Sequence, residues 1–141
     1  MGRASDALAG GRESTLSETL SSTESLTPLA IAQAAEAGDS LALEIVLETA
    51  RYLALGIGTL IHIVDPGCVV LGGAMNFGGA GHPLGEQFLQ KVRDELRPRL
   101  LPPLRKLLQV EFAKLGGDAG YIGAAGLARL EHLKQCDVLV P

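Results

Sequence analysis

Only two cysteines, Cys68 and Cys136, occur in the 141 residues. That is too few for a disulfide framework or a cysteine zinc site, and a reducing cytoplasm is the default compartment. Basic residues are not in excess either: 12 Lys and Arg stand against 16 Asp and Glu, a formal charge of −4. With no positive field to gather phosphates, a broad nucleic-acid or anionic-membrane surface is excluded. Long hydrophobic runs are missing as well. The longest uncharged apolar stretch, Tyr52–Ile61, is far short of the ~20 residues that cross a bilayer. The opening residues, Met1 to Asp6, lack the apolar core of a signal peptide. What remains is the profile of one ordinary globular domain, 47% hydrophobic and 20% charged. Glycine is the outlier, with 18 residues, near twice the usual share of roughly 7%.

Residues 1–26 are rich in Ser, Thr, Gly and Glu without a sustained period, and read as a mobile or loosely packed arm with a short helix around Leu16–Leu20. Thr27-Pro28 supplies a hydroxyl cap and a proline at the first helical position, so Leu29–Ala37 is predicted helical, ending at Gly38. Asp39 then caps a long helix reaching Val64, with Glu44, Glu48 and Arg51 on one polar stripe. Past Arg51 apolar residues go all the way round, which predicts burial on every side. Gly56 and Gly58 suggest a neighbour packed close to the backbone. Cys68–Leu71 reads as a short strand from the middle of a parallel sheet, in which Cys68 is inert. A glycine-rich loop, an amphipathic helix over Pro83–Leu100 and a second strand over Leu108–Phe112 follow. A last helix covers Ala119–Lys134, leaving residues 135–141 as a tail. Two parallel strands are too few for a stable sheet, so the 27–134 lobe is expected to be part of a larger fold.

Two stretches invite chemistry. In Val69-Val70-Leu71-Gly72-Gly73-Ala74, consecutive glycines leave bare backbone at the carboxyl end of a strand, where α/β proteins bind ligands. A sterically required turn is the first reading and nucleotide contact the alternative. In Leu115-Gly116-Gly117-Asp118-Ala119-Gly120, Asp118 is placed to cap the last helix, a role favoured over direct catalysis. The small residues Gly120, Gly123, Ala124, Ala125 and Gly126 imply that a backbone or ligand comes close to that helix. Gly56-Ile57-Gly58-Thr59 resembles a phosphate cradle by letters only, because its N–H groups are engaged in a helix. Gly78–Gly81 reads as a flexible lip. His62, His82 and His132 have no metal-ligand spacing, and no nucleophile elbow or triad is present. The mixed charges from Lys91 to Arg99 read as a solvated face rather than a polyanion site.

Three stretches in order carry a resemblance: Ala34-Ala35-Glu36-Ala37-Gly38-Asp39-x-x-Ala42, Asp65-Pro66-x-x-Val69-Val70-Leu71-Gly72-Gly73-Ala74, and Leu115-Gly116-Gly117-Asp118-Ala119-Gly120-x-Ile122-Gly123-Ala124-Ala125. From about Arg12 to Leu130 the chain resembles the C-terminal half of a ROK-family protein (repressor, open reading frame, kinase). The resemblance implies an α/β fold, a partial actin-like ATPase (ribonuclease H-like) lobe with long helices on a short, incomplete parallel sheet. It implies that Gly72, Gly73 and Ala74 contact adenosine, and that the helix opening at Gly117 and Asp118 connects the two lobes at their hinge. In the complete kinases of this family, ATP and Mg²⁺ serve transfer to a sugar hydroxyl, with an aspartate as general base.

The family's phosphate loop, Asn-Asp catalytic segment, Glu-x-Gly-His sugar contact and zinc loop have no counterpart here. All belong to the part that precedes the matched region. No catalytic residue and no metal ligand is therefore assigned, and this chain alone is expected not to phosphorylate sugar. Expected partners are a missing N-terminal lobe or further copies of the chain, with sugar and nucleotide bound in the complete protein and no direct nucleic-acid or membrane contact. Two alternatives stay open: the effector lobe of a ROK-type sugar-responsive repressor, and a non-catalytic self-associating module.

Overall fold

The computed structural model describes residues 2–22, 26–73 and 76–138, without side-chain detail at 22, 117 and 136–138. Helices α1 (Gly2–Ala9), α2 (Leu16–Ser22), α3 (Pro28–Glu36) and α4 (Ser40–Val64) lead into strand β1 (Cys68–Leu71). Helix α5 (Pro83–Leu96), a 3-10 turn (Arg97–Arg99) and the short α6 (Leu104–Leu107) connect β1 to β2 (Gln109–Phe112). A second 3-10 turn (Gly116–Asp118) opens α7 (Ala119–Val138).

The helix boundaries follow from local chemistry. Thr27 Oγ1 accepts from the Ala30 N–H at 3.1 Å while Pro28 occupies the first turn. Gly38, at φ +93°, reverses the chain after α3, and the Asp39 N–H donates back to the Ala34 carbonyl at 2.9 Å. Asp39 then caps α4, its carboxylate accepting from the Ala42 N–H at 2.9 Å. At the far end Asp65 takes a left-handed conformation, and its N–H closes on the Ile61 carbonyl before Pro66 forbids continuation.

The core is built where α4 crosses α5. Helix α4 buries Ala42, Val46, Ala50, Ala54, Ile57, Gly58 and Ile61, one face of a 3.6-residue period. Helix α5 answers with Leu84, Phe88, Leu89, Val92 and Leu96. Phe77 in the preceding loop stacks on Phe88, ring centres 4.7 Å apart. The strands pair in parallel, Cys68 opposite Gln109 and Leu71 opposite Phe112. Val110 and Phe112 of β2 face this core.

Four expectations need correction. Residues 1–26 are not a loose arm among the described positions: Ala4, Leu16 and Leu26 are buried in the core, Arg3 pairs with Glu48, and Arg12 pairs with Glu44 at 2.6 Å. Their contacts are to residues distant in sequence, so no local period marks them. The second half of α4 is not enclosed: Leu60, Ile63 and Val64 are 60%, 75% and 68% exposed. Cys68 is exposed, because β1 has no second neighbour among the described strands. Finally, α7 continues through residue 135 to Val138, so no tail begins there. Of the two helix glycines, Gly58 lies beside Leu96 at ordinary contact distance and Gly56 has no neighbour within 4 Å.

Asp39 also ties the N-terminal segment to the core. Besides capping α4 it accepts from the Thr15 N–H at 2.7 Å and from the Ser14 and Thr15 hydroxyls at 2.9 Å each. Burial disfavours its charge, but these bonds outweigh that and lower its pKa to about 2. The folded-state value lies below that of the unfolded chain. The stabilisation is therefore complete above about pH 5 and disappears as the pH falls through about 2. Asp39→Ala should cost about 1–2 kcal/mol at pH 7, and Asp39→Asn, which can still cap, less. Urea unfolding measured against pH should show the gap between wild type and Asp39→Asn closing on acidification.

Candidate functional site at the carboxyl ends of the strands

Both glycine motifs leave the same end of the two-stranded sheet. Leu71 passes into Gly72 and Gly73, and Phe112 passes into Ala113 and the turn at 116–118. The Ala113 N–H donates to the Leu71 carbonyl at 2.8 Å, holding the two exits side by side. A Cβ built on Gly72 would meet the Ala113 Cβ at 3.6 Å, an ordinary contact. Gly73 sits at φ +93°, in the left-handed region that L side chains rarely adopt. Both glycines are exposed. The turn reading and the ligand reading thus attach to different residues: the backbone requires glycine at Gly73, while Gly72 has room for a methyl group. Ala74 lies outside the described residues.

Gly117 and Asp118 form the 3-10 turn that opens α7, with the Asp118 N–H donating to the Leu115 carbonyl at 3.0 Å. Asp118 is exposed. Its carboxylate accepts no hydrogen bond from the described residues, so the expected cap of α7 is not formed and both oxygens remain available. Nothing lies within 4 Å of Gly120, Gly123 or Gly126, so the neighbour implied by their small flank is not supplied by the described residues. The carboxyl ends of the strands thus present bare backbone at Gly72 and Gly73, and an exposed carboxylate stands at Asp118 where α7 opens. Among the described residues no three His, Cys, Asp or Glu side chains gather in a metal-binding group.

The glycine-rich stretch after β1 is less free than a flexible lip. Gly79 is buried, and Gly85 of α5 packs so tightly on it that a Cβ would fall 2.4 Å from the Gly79 carbonyl. His82 lies over Gly78 and approaches Glu36 at 3.8 Å. The sequence pointed to the loop glycines but not to Gly85, because a glycine inside a helical run carries no sign of what it touches.

A parallel strand pair beside long helices, with exposed glycines after its first strand, defines an α/β protein whose structural neighbours are sugar kinases of the actin-like ATPase fold. A protein assigned as a sugar kinase from Cytophaga hutchinsonii superposes with a TM-score of 0.67 at 24% identity, over 87% of this chain and 38% of that one. A ROK family glucokinase from Streptomyces griseus, in complex with glucose and AMPPNP, superposes with a TM-score of 0.59 at 35% identity, over 72% and 31%. The ROK family profile matches residues 5–131, and the chain belongs to that family. Curated relatives include a glucokinase of Halalkalibacterium halodurans, 29% identical over 76% of this chain and 31% of its own length. A xylose repressor of Caldicellulosiruptor bescii is 29% identical over 74% and 25%. The bifunctional enzyme NanE/NanK of Brucella melitensis is 38% identical over 67% and 16%. The chain thus spans less than a third of the length of these curated relatives.

Three alanine substitutions separate the roles of the glycines. Gly73→Ala should cost about 1–2 kcal/mol because of its left-handed backbone, whereas Gly72→Ala should stay within about 0.5 kcal/mol. Gly85→Ala should be the most damaging, since backbone rather than a side-chain tip stands in its way. Chemical denaturation of the three variants checks the order.

Proposed function

We propose that the chain is the C-terminal, nucleotide-binding lobe of a ROK-type, ATP-dependent, glucokinase-like sugar kinase. The observation that carries this reading is the exposed Gly72–Gly73 backbone ledge at the sheet end from which the turn bearing the unbonded Asp118 carboxylate also departs. The AMPPNP-bound Streptomyces griseus glucokinase, similar over 72% of the chain, supports it. In this reading the adenine lies flat over Gly72 and Gly73, where a side chain would hold it away. The exposed backbone supplies donors to the base or ribose, and Asp118 accepts from a ribose hydroxyl. A carboxylate repels phosphate, so the phosphates extend away from Asp118 and toward the other lobe. Mg²⁺ in the complete protein would offset phosphate charge, and no group of three His, Cys, Asp or Glu among the described residues is placed to hold it.

Residues 27–134, joined to the N-terminal helices, form this lobe, and the general base and sugar contacts belong to its counterpart. The exposed apolar residues of α4 and α7 are the surface through which the lobe meets that counterpart or further copies of itself, within a cytoplasmic protein. One observation favours a second reading, the effector lobe of a sugar-responsive repressor: the similarity to the xylose repressor extends over 74% of the chain.

The 141-residue chain should show no turnover in a coupled ATP–glucose assay. AMPPNP should bind it weakly, with Kd of order 1 mM or worse, and Gly72→Val should abolish that binding. Turnover by the chain alone would contradict the absence of a base, and unchanged AMPPNP binding by Gly72→Val would remove the ledge from the site.

A further inference from the structure

A second recess lies away from the strand ends, between α5, the 97–99 turn, α6 and β2. Its volume is about 320 Å³, and Arg93, Arg97 and Arg105 line it together with Glu111. The chain is acidic overall, yet six of its 12 Lys and Arg fall between positions 91 and 106. Two of those six, Lys91 and Arg99, share an ion-pair partner in Glu95, at 2.8 and 2.9 Å. The three that line the recess are not.

Arg93 donates from Nε and Nη2 to the Val110 carbonyl, at 3.1 and 2.7 Å. Arg105 donates from Nε to the Leu100 carbonyl at 2.8 Å. A carbonyl fixes the orientation of a guanidinium without cancelling its charge, so both remain cationic forks held in place. The Arg97 guanidinium forms no hydrogen bond or ion pair with any described residue. Glu111 makes no ion pair with the three arginines, leaving the lining with a net charge of +2. Two oriented cations and one free cation stand around a floor formed in part by Leu96, Leu100 and Leu108.

We propose that this recess binds a small organic dianion, a phosphate monoester or a polycarboxylate, independently of the nucleotide ledge. Planar guanidinium forks match both headgroups in bidentate geometry. The leucine floor takes the uncharged body. A volume near the lower end of ligand pockets, roughly 300–1,000 Å³, suits a metabolite of a few carbons. A nucleic-acid strand fits poorly, because the rest of the surface offers it no continuing basic track.

The test is calorimetric titration of the 141-residue chain with glycerol 3-phosphate, with citrate, with inorganic phosphate and with a duplex oligonucleotide. At least one of the two organic anions should bind saturably, more tightly than inorganic phosphate, and the preferred one identifies the headgroup. Arg97 holds no other group in place, so Arg97→Gln and Arg97→Glu should fold with unchanged melting temperature. Binding should weaken about tenfold in Arg97→Gln and vanish in Arg97→Glu, while Gly72→Val leaves it intact. The proposal is overturned if neither organic anion saturates, or if both Arg97 variants bind as the wild type does. It is equally overturned if the duplex binds as tightly per phosphate, or if Gly72→Val abolishes the binding.

Discussion

The crossing of α4 and α5 is the contact on which the rest of the molecule depends. Small residues on the α4 face, Ala42, Ala50, Ala54 and Gly58, let α5 approach closely enough for Phe88, Val92 and Leu96 to be buried completely. Each such large side chain contributes about 1.5–3 kcal/mol on burial. No other pair of elements among the described residues buries a comparable set. The sheet is secondary to this contact: two four-residue strands could not persist alone. They are fixed because Val110 and Phe112 insert under α5, and because Arg93 of α5 bonds the Val110 carbonyl. The position of the strand ends thus follows from the helix pair.

The same contact leaves much apolar surface unused. The far end of α4 exposes Leu60, Ile63 and Val64, β1 exposes Val70, and α7 exposes Tyr121, Leu127 and Leu130. Singly, such residues would be unremarkable on any protein surface. Here they cluster on two helices and one strand, and α7 carries both apolar residues and glycines with nothing against them. An arrangement of this kind is stable in water when another surface covers it. That physical argument and the partial span of the relatives point the same way, although they rest on different observations.

What the sequence disclosed divides by the range of the interaction involved. The caps at Thr27 and Asp39, the stop at Asp65-Pro66, and the alternation of Val110 and Phe112 are local chemistry, and each appears where the residues predict it. Burial on every side past Arg51 rests on apolar residues running all the way round the helix, a pattern that records apolar character but not whether a neighbour is present. The short helix around Leu16–Leu20 was legible and lies within α2, but α1 and the packing of the N-terminal segment were not, for the opposite reason. Leu16 is buried by residues distant in sequence, and Ser14 and Thr15 act on a carboxylate that already has a sufficient local role as a cap. At the site, the glycine pair and Asp118 could be read, but their division of labour could not. A φ of +93° at Gly73 and an unbonded carboxylate at Asp118 are properties of the folded backbone.

This division bears on how the ledge works. Gly73 is needed by the turn itself, so its presence says little about ligands. Gly72 is not needed by the turn, and a methyl group there would meet only Ala113 at ordinary distance. The informative glycine is therefore the unstrained one, where the fold would tolerate alanine but bare backbone is found. Asp118 follows the same logic: a cap would consume the carboxylate, and the 3-10 turn instead leaves it exposed. An open ledge makes few contacts by itself. On the proposed reading, affinity for a nucleotide comes mostly from whatever closes over the ledge, which makes nucleotide binding and closure energetically one event.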